Sequence, residues 1–264
     1  MAIVFESKER YGMDDLLQIV YLLRQPDGCP WDREQTHTSI RNNFLEEVYE
    51  AVDAIDQNDS ENLKEELGDV LLQVAMHAEM EKEENRFDFS DVVHDVCYKL
   101  VERHPHVFGN VVANNGEQAM DSWEAVKRQT KQQETYTQTL ESVPKAFPAL
   151  MRAQKVQKRA AKAGFDWPEI SGALEKIGEE ARELAWADEH HVVEELGDLL
   201  FSVVNVSRFL KIDSEQALQA ATEKFIQRFA GVEQLALERG MDMKTSSLEE
   251  LDQLWDEVKS RNSR

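Results

Sequence analysis

The pentapeptide Glu-Glu-Leu-Gly-Asp occurs twice in the chain, at 65–69 and 194–198, each time leading into an apolar run. Around each copy the same neighbours follow in the same order. The first set reads GCPWD at 28, EEVYE at 46, EELGD at 65, KLVER at 99 and WEAVK at 123. The second reads AGFDW at 163, EEARE at 179, EELGD at 194, KFIQR at 224 and WDEVK at 255. Any one match is unremarkable in a chain with 52 acidic residues, but an ordered set is the signature of a duplicated structural unit. The chain is therefore expected to fold as two related domains, 1–130 and 145–264. The Gln/Thr-rich stretch 131–144 is read as a linker between them or a frayed helix end.

Periodicity sets the fold class. Apolar residues recur at helical spacing in Leu16, Val20 and Leu23, in Leu45, Val48, Val52 and Ile55, and in Leu63, Leu67, Val70 and Val74. The second copy repeats this with Val193, Leu196, Leu200 and Val203, and with Leu218, Ala221, Phe225 and Val232. Asp59-Ser60, Ser90-Asp91 and Asp213-Ser214 supply helix starts. With only 11 Gly and 6 Pro, the expectation is an all-α protein of two tandem four-helix-bundle-like domains.

The formal net charge of -22 argues against binding polymeric nucleic acid or an anionic membrane surface. No apolar run reaches the roughly 18 residues of a membrane span, and no signal-peptide core opens the chain. Cys29 and Cys97 are too few for a disulfide framework. A cytoplasmic protein is expected.

The acids within the repeat carry the chemistry. Glu47 and Glu50 share one helical face, as do Glu66 and Asp69 on the next helix; Glu180 with Glu183 and Glu195 with Asp198 repeat the pattern. They lie beside the apolar stripes rather than opposite them. Like charges at this spacing cost a few tenths of a kcal/mol on an isolated helix, so something positive is expected among them. Carboxylates on two neighbouring helices form an all-oxygen site for one or two Mg²⁺ ions, with positions left for water and phosphate. A di-iron site would require Glu-x-x-His, and no His stands at Glu50, Asp69, Glu183 or Asp198. Lys224 and Arg228, with first-copy counterparts Lys99 and Arg103, offer a point charge and a planar fork suited to phosphate oxygens. Trp255 and Lys259, like Trp123 and Lys127, add an aromatic platform and a further cation. No P-loop, G-x-G-x-x-G, G-x-S-x-G or zinc-ligand spacing is present.

The run EExxE…ExxD followed by KxxxR resembles the MazG family of all-α nucleoside triphosphate pyrophosphohydrolases. CPWD, RHPHVF, FPALMRAQK at 147 and GFDW at 164 extend the likeness along the whole chain. The resemblance implies Mg²⁺-dependent cleavage of a nucleoside triphosphate between its α and β phosphates, and a homodimer; the choice between Mg²⁺ and Mn²⁺ is left open by the residues. By the same resemblance Glu180, Glu183, Glu195 and Asp198 would ligate the metal. Glu179 and Glu194 would contact substrate or orient the attacking water. Lys176, Lys224, Arg228, Trp255 and Lys259 would hold the triphosphate and base. First-copy ligands would be Glu47, Glu50, Glu66 and Asp69, with Glu46 matching Glu179.

The second copy is the expected catalytic one. Lys176 stands one turn before Glu179 where the first copy has Asn43, and Lys224/Arg228 have helix-forming sequence on both sides, whereas Arg103 precedes His-Pro. Asp198 follows Glu180 more closely than Asp69 follows Glu47, which reads as a shorter loop beside the second site. Two alternatives remain open on the residues alone: an acidic helical interaction module, or the same fold acting on dUTP, a damaged nucleotide or a guanosine alarmone.

Overall fold

The computed structural model describes residues 5–130 and 135–262, without the side chains of residues 117, 121, 124, 127–129 and 262. The described residues are helical and contain no strand. The chain divides into two compact units, Met1–Lys127 and Arg128–Arg264.

The first unit contains α1 (Met13–Arg24), α2 (Pro30–Glu34), α3 (Arg41–Asp56), α4 (Ser60–Glu83), α5 (Phe89–Arg103), α6 (Pro105–Phe108) and most of α7 (Gly116–Thr130). Its centre is the antiparallel pair α3/α4, with α1 laid against α4. Asp59 caps α4 by accepting from the Glu61 and Asn62 amides, and Asn58 turns the chain with a left-handed φ of 55°. The cap of α5 is Asp88, two residues before the expected start, in a reciprocal capping box with Asp91. Val20, Ile40, Ala75, Met76 and Met80 form the core. Beside it Arg24 makes a two-pronged bond to Glu83 at 2.7 Å and donates to the carbonyls of Asp32 and Gln35. The GCPWD motif is thereby tied to the end of α4. Gly28 is needed there, since a Cβ would stand 2.4 Å from the carbonyl oxygens of Leu22 and Leu23.

The second unit contains α8 (Tyr136–Glu141), α9 (Ala149–Lys162), α10 (Ile170–Trp186), α11 (Val192–Phe209), α12 (Ser214–Glu238) and α13 (Leu248–Asn262). Here α10/α11 is the central antiparallel pair, α9 takes the position of α1, and α12 packs on α13. Gln157 donates to the Phe201 carbonyl at 2.7 Å, and Gln154 joins the Ile212 carbonyl to Ser214, so α9 braces both ends of the α11–α12 connection. Arg208 reaches Asp166 of the GFDW motif at 2.5 Å. Val232, Leu235, Ala236, Leu254 and Val258 form the core. Gly231 lets α13 approach α12, because a Cβ would meet Val258 at 2.9 Å.

The structure differs from the sequence expectation in three respects. Each unit has more than four helices. Part of the stretch read as linker is α8, capped by Thr135 in a box with Gln138 and pinned to α9 by Arg159, which donates to the Thr139 carbonyl and to Ser142; residues 131–134 lie outside the described ones. The apolar stripe of α3 is also not the buried face. Ala51 and Ala54 are buried, whereas Leu45, Val48, Val52 and Ile55 are 40% to 58% exposed. Periodicity finds an apolar face but does not say which partner covers it.

Leu254→Ala removes a side chain only 1% exposed in the α12/α13 core. Chemical denaturation is expected to show a loss of about 2–4 kcal/mol in the second unit.

Candidate active site

Helical register and antiparallel pairing bring the acids together. Carboxylate oxygens of Glu47, Glu66 and Asp69 lie within 4.8 Å of one another, and so do those of Glu180, Glu183 and Glu195. Glu50 stands close enough to Glu66 to raise its pKa, and Asp198 does the same to Glu195. The sequence spacing does differ between units, but not through a shorter loop. Nine residues of α3 follow Glu47 before a three-residue turn, whereas six of α10 follow Glu180 before a five-residue one. The second cluster sits nearer the turn of its hairpin because fewer helical residues separate its acids from that turn. Its turn is held by Asp188, which accepts from the amides of His190 and His191 and from the His191 ring.

Crowding is visible in the protonation equilibria. Burial, then the charges of Asp69, Glu50 and Glu46, hold the Glu47 carboxyl above its ordinary value. Burial and the neighbouring Glu50 and Asp69 do the same for Glu66. In the second unit Glu195 is raised by burial and by Glu183, Glu180, Asp198 and Glu194. Glu179 is the opposite case, lowered by its hydrogen bond from Lys176. The Lys176 ammonium lies 2.8 Å from Glu179 and 2.6 Å from Glu180, whose side chain is only 5% exposed. All-carboxylate clusters of this kind fit a hard divalent cation: every donor is an oxygen, and the mutual repulsion is what a cation relieves.

The basic and aromatic positions come together in pairs. Arg228 lies over the Trp255 ring at 5.9 Å, and Phe225 meets the same ring at 5.2 Å. The first unit repeats the contact, Arg103 over Trp123 at 5.4 Å. The last two repeated motifs of each copy are therefore one cation–π contact. Helix α12 also touches α11, so Lys224 and Arg228 project from a neighbour of an acid-bearing helix. Neither forms an ion pair with the carboxylate cluster among the described residues. Lys99 is exposed, and Arg103 is the last residue of α5, ahead of Pro105, whereas Arg228 is mid-helix. Glu46 and Glu194 are exposed beside their clusters. Lys259 pairs with Asp256 at 3.2 Å, and the Lys127 side chain lies outside the described residues.

The family model of the MazG nucleotide pyrophosphohydrolase domain matches residues 35–108 and 170–232. A nucleoside triphosphate pyrophosphohydrolase of Escherichia coli K12 is 43% identical over 94% of this chain and 97% of its own. The chain belongs to the MazG family. A Thermotoga maritima protein named nucleoside triphosphate pyrophosphohydrolase/pyrophosphatase MazG is 43% identical over 93% of this chain and 95% of its own. A Mycobacterium tuberculosis nucleoside triphosphate pyrophosphohydrolase is 39% identical, over 52% of this chain and 41% of its own.

The two MazG segments enclose both acid clusters and both Lys/Arg pairs, but end before Trp123 and Trp255. Sequence reasoning did not single out Gln154, Gln157, Asp166 or Arg208 as supports of the second MazG unit. Gln154 lies in FPALMRAQK and Asp166 in GFDW, where they fasten α9 to the α11–α12 turn and the GFDW loop to Arg208; Gln157 and Arg208 fall outside both motifs.

A carboxyl whose pKa is raised by folding costs stability once ionised, so stability without metal falls as pH rises through the window just above the ordinary carboxylate range. A divalent cation bound only to the folded state reverses this, by about 2.7 kcal/mol at a hundredfold excess over Kd. Thermal melts are therefore expected to show a larger rise on adding Mg²⁺ or Mn²⁺ at pH 7.5 than at pH 5, where Glu47, Glu66 and Glu195 take up protons.

Proposed function

We propose that the protein hydrolyses nucleoside triphosphates between the α and β phosphates, giving a nucleoside monophosphate and pyrophosphate, with the second unit as the working site. The observation that carries this reading is the carboxylate cluster of α10 and α11, next to a helix that presents Lys224, Arg228 and a Trp255 platform. Glu180, Glu183, Glu195 and Asp198 are assigned to hold the divalent cation, Mg²⁺ in the first instance and Mn²⁺ as its substitute. Activation of water and neutralisation of phosphate charge are the chemistry such a cation supplies.

The remaining work falls to the chain. Glu179 and Glu194, at the edge of the cluster, orient the attacking water and take up its proton. Lys176, Lys224 and Arg228 bind the triphosphate and meet the negative charge that gathers on the leaving pyrophosphate as the bond from the α phosphorus to the bridging oxygen breaks. Trp255 offers its face to the base and Lys259 a further charge at the rim. In the first unit Glu47, Glu50, Glu66 and Asp69, with Glu46, Lys99, Arg103, Trp123 and Lys127, are the corresponding set.

A homodimer belongs to the same reading. It is supported by the apolar stripe of α3 and by exposed Leu196, Leu200, Phe225 and Phe229 on α11 and α12, which a second copy of the chain would cover.

Glu180→Ala and Asp198→Ala are each expected to lower metal-dependent pyrophosphate release at least about 100-fold while preserving the helical circular dichroism. Unchanged turnover in both would move the chemistry to the first unit. Orthophosphate as the product would move the cleavage site. Lys224→Ala is expected to raise the KM for nucleoside triphosphate about tenfold, as the loss of one charge-assisted hydrogen bond requires.

A further inference from the structure

We propose that Lys176 is the resident counter-ion of the second carboxylate cluster, occupying Glu180 until metal and nucleotide arrive, and then transferring its ammonium to a phosphate. The inference rests on the metal-dependent reading above and adds an order of events to it.

The geometry shows a lysine where a metal would be wanted. Lys176 reaches Glu180 Oε1 at 2.6 Å and Glu179 Oε1 at 2.8 Å. Glu180 is the most buried member of the cluster, and one of the three whose oxygens lie within 4.8 Å of one another. A simple surface pair would not reach so far inward, and Lys placed before Glu in a helix is the weaker orientation of an i,i+4 pair. The Lys176 side chain itself remains one-third exposed, so its four-carbon stem is free to swing. No other Lys or Arg pairs with Glu180, Glu183 or Glu195 among the described residues, so the single ammonium is the only internal neutraliser.

The first unit supplies the contrast. Asn43 occupies the matching position, and Glu47, Glu66 and Asp69 have no cationic partner among the described residues. A divalent ion entering the second cluster competes with the ammonium for the Glu180 carboxylate, because two cations on one carboxylate repel. The displaced ammonium is then unpaired at the rim, one helical turn from the cluster, where a triphosphate brings the negative charge it has lost. Metal and nucleotide thus assist each other's binding, with Lys176 as the link.

The test uses the full chain carrying Glu47→Gln and Asp69→Asn, so that the second unit alone reports, and follows Mn²⁺ by the loss of its free-ion spin-resonance signal. Without nucleotide, Lys176→Gln is expected to bind Mn²⁺ at least about fivefold tighter than the same protein with Lys176. With a non-hydrolysable α,β-methylene nucleotide present, the advantage is expected to vanish or reverse, because Lys176 is then a phosphate ligand. Lys176→Arg, which keeps the charge and the fold, is expected to bind Mn²⁺ no more tightly than the parent. Unchanged or weaker Mn²⁺ binding by Lys176→Gln, or tighter binding by Lys176→Arg, overturns the proposal while leaving the metal-dependent reading intact. Absence of Mn²⁺ binding in every form, with and without the nucleotide, overturns both.

Discussion

The arrangement of each unit depends on holding four carboxylates closer together than water-exposed acids would settle. Such a cluster opposes its own assembly: each of Glu47, Glu66 and Glu195 is harder to ionise because of burial and then because of its acidic neighbours. Only a rigid frame can hold it. In both units the frame is an antiparallel helix pair with a third helix laid against its second member, α1 on α4 and α9 on α11. Small buried residues such as Ala51, Ala54 and Ala173 let the helices close, and the acids occupy the flank of the contact. The repulsion is local and unfavourable, so the stability that tolerates it comes from elsewhere, chiefly the Val20/Met76 core in one unit and the Leu235/Leu254 core in the other.

Buried polar groups then fix the frame where apolar packing alone would allow it to slide. Arg24 locks the end of α4 to the chain before α3 with bonds to one carboxylate and two carbonyls. The second unit reaches the same end with neutral groups: Gln157 and Gln154 satisfy carbonyls on and just after α11. Different residues fill equivalent structural roles, so a search for repeated motifs passes over them. What must be repeated is the chemistry at the cluster and the Arg–Trp stack; what must be braced can be braced in several ways.

This difference explains what was legible in the sequence. Charged residues at helical spacing beside an apolar stripe already placed Glu47 with Glu50 and Glu66 with Asp69, since register on a helix is a local property. The ordered repeat implied that both hairpins close alike. The stacking of Arg103 on Trp123 and Arg228 on Trp255 was not legible, although all four residues were marked, because it depends on how two separate helices cross. Nor was the buried face of α3, where Ala51 and Ala54 turn inward and Leu45 and Ile55 do not. Helix α8 was legible only as a linker or a frayed helix end because Gln and Thr are mediocre helix formers; its capping box and the anchoring Arg159 override their preference.

The two units also show how one hairpin can be put to different use by small changes near the cluster. In the second, fewer helical residues separate the acids from a turn held by Asp188, and a lysine stands one turn before them. In the first, the acids lie farther from the hairpin's turn, and Asn43 leaves them without that charge. A cluster with its own counter-ion can remain assembled without a metal, because part of its repulsion is already offset. A cluster without one has no such relief, so ionising it costs stability that a bound cation would restore. The first arrangement suits a site that exchanges metal and nucleotide at each turnover. The second suits an ion that stays, or no ion at all, and on electrostatic grounds the two copies need not share a task despite sharing a fold.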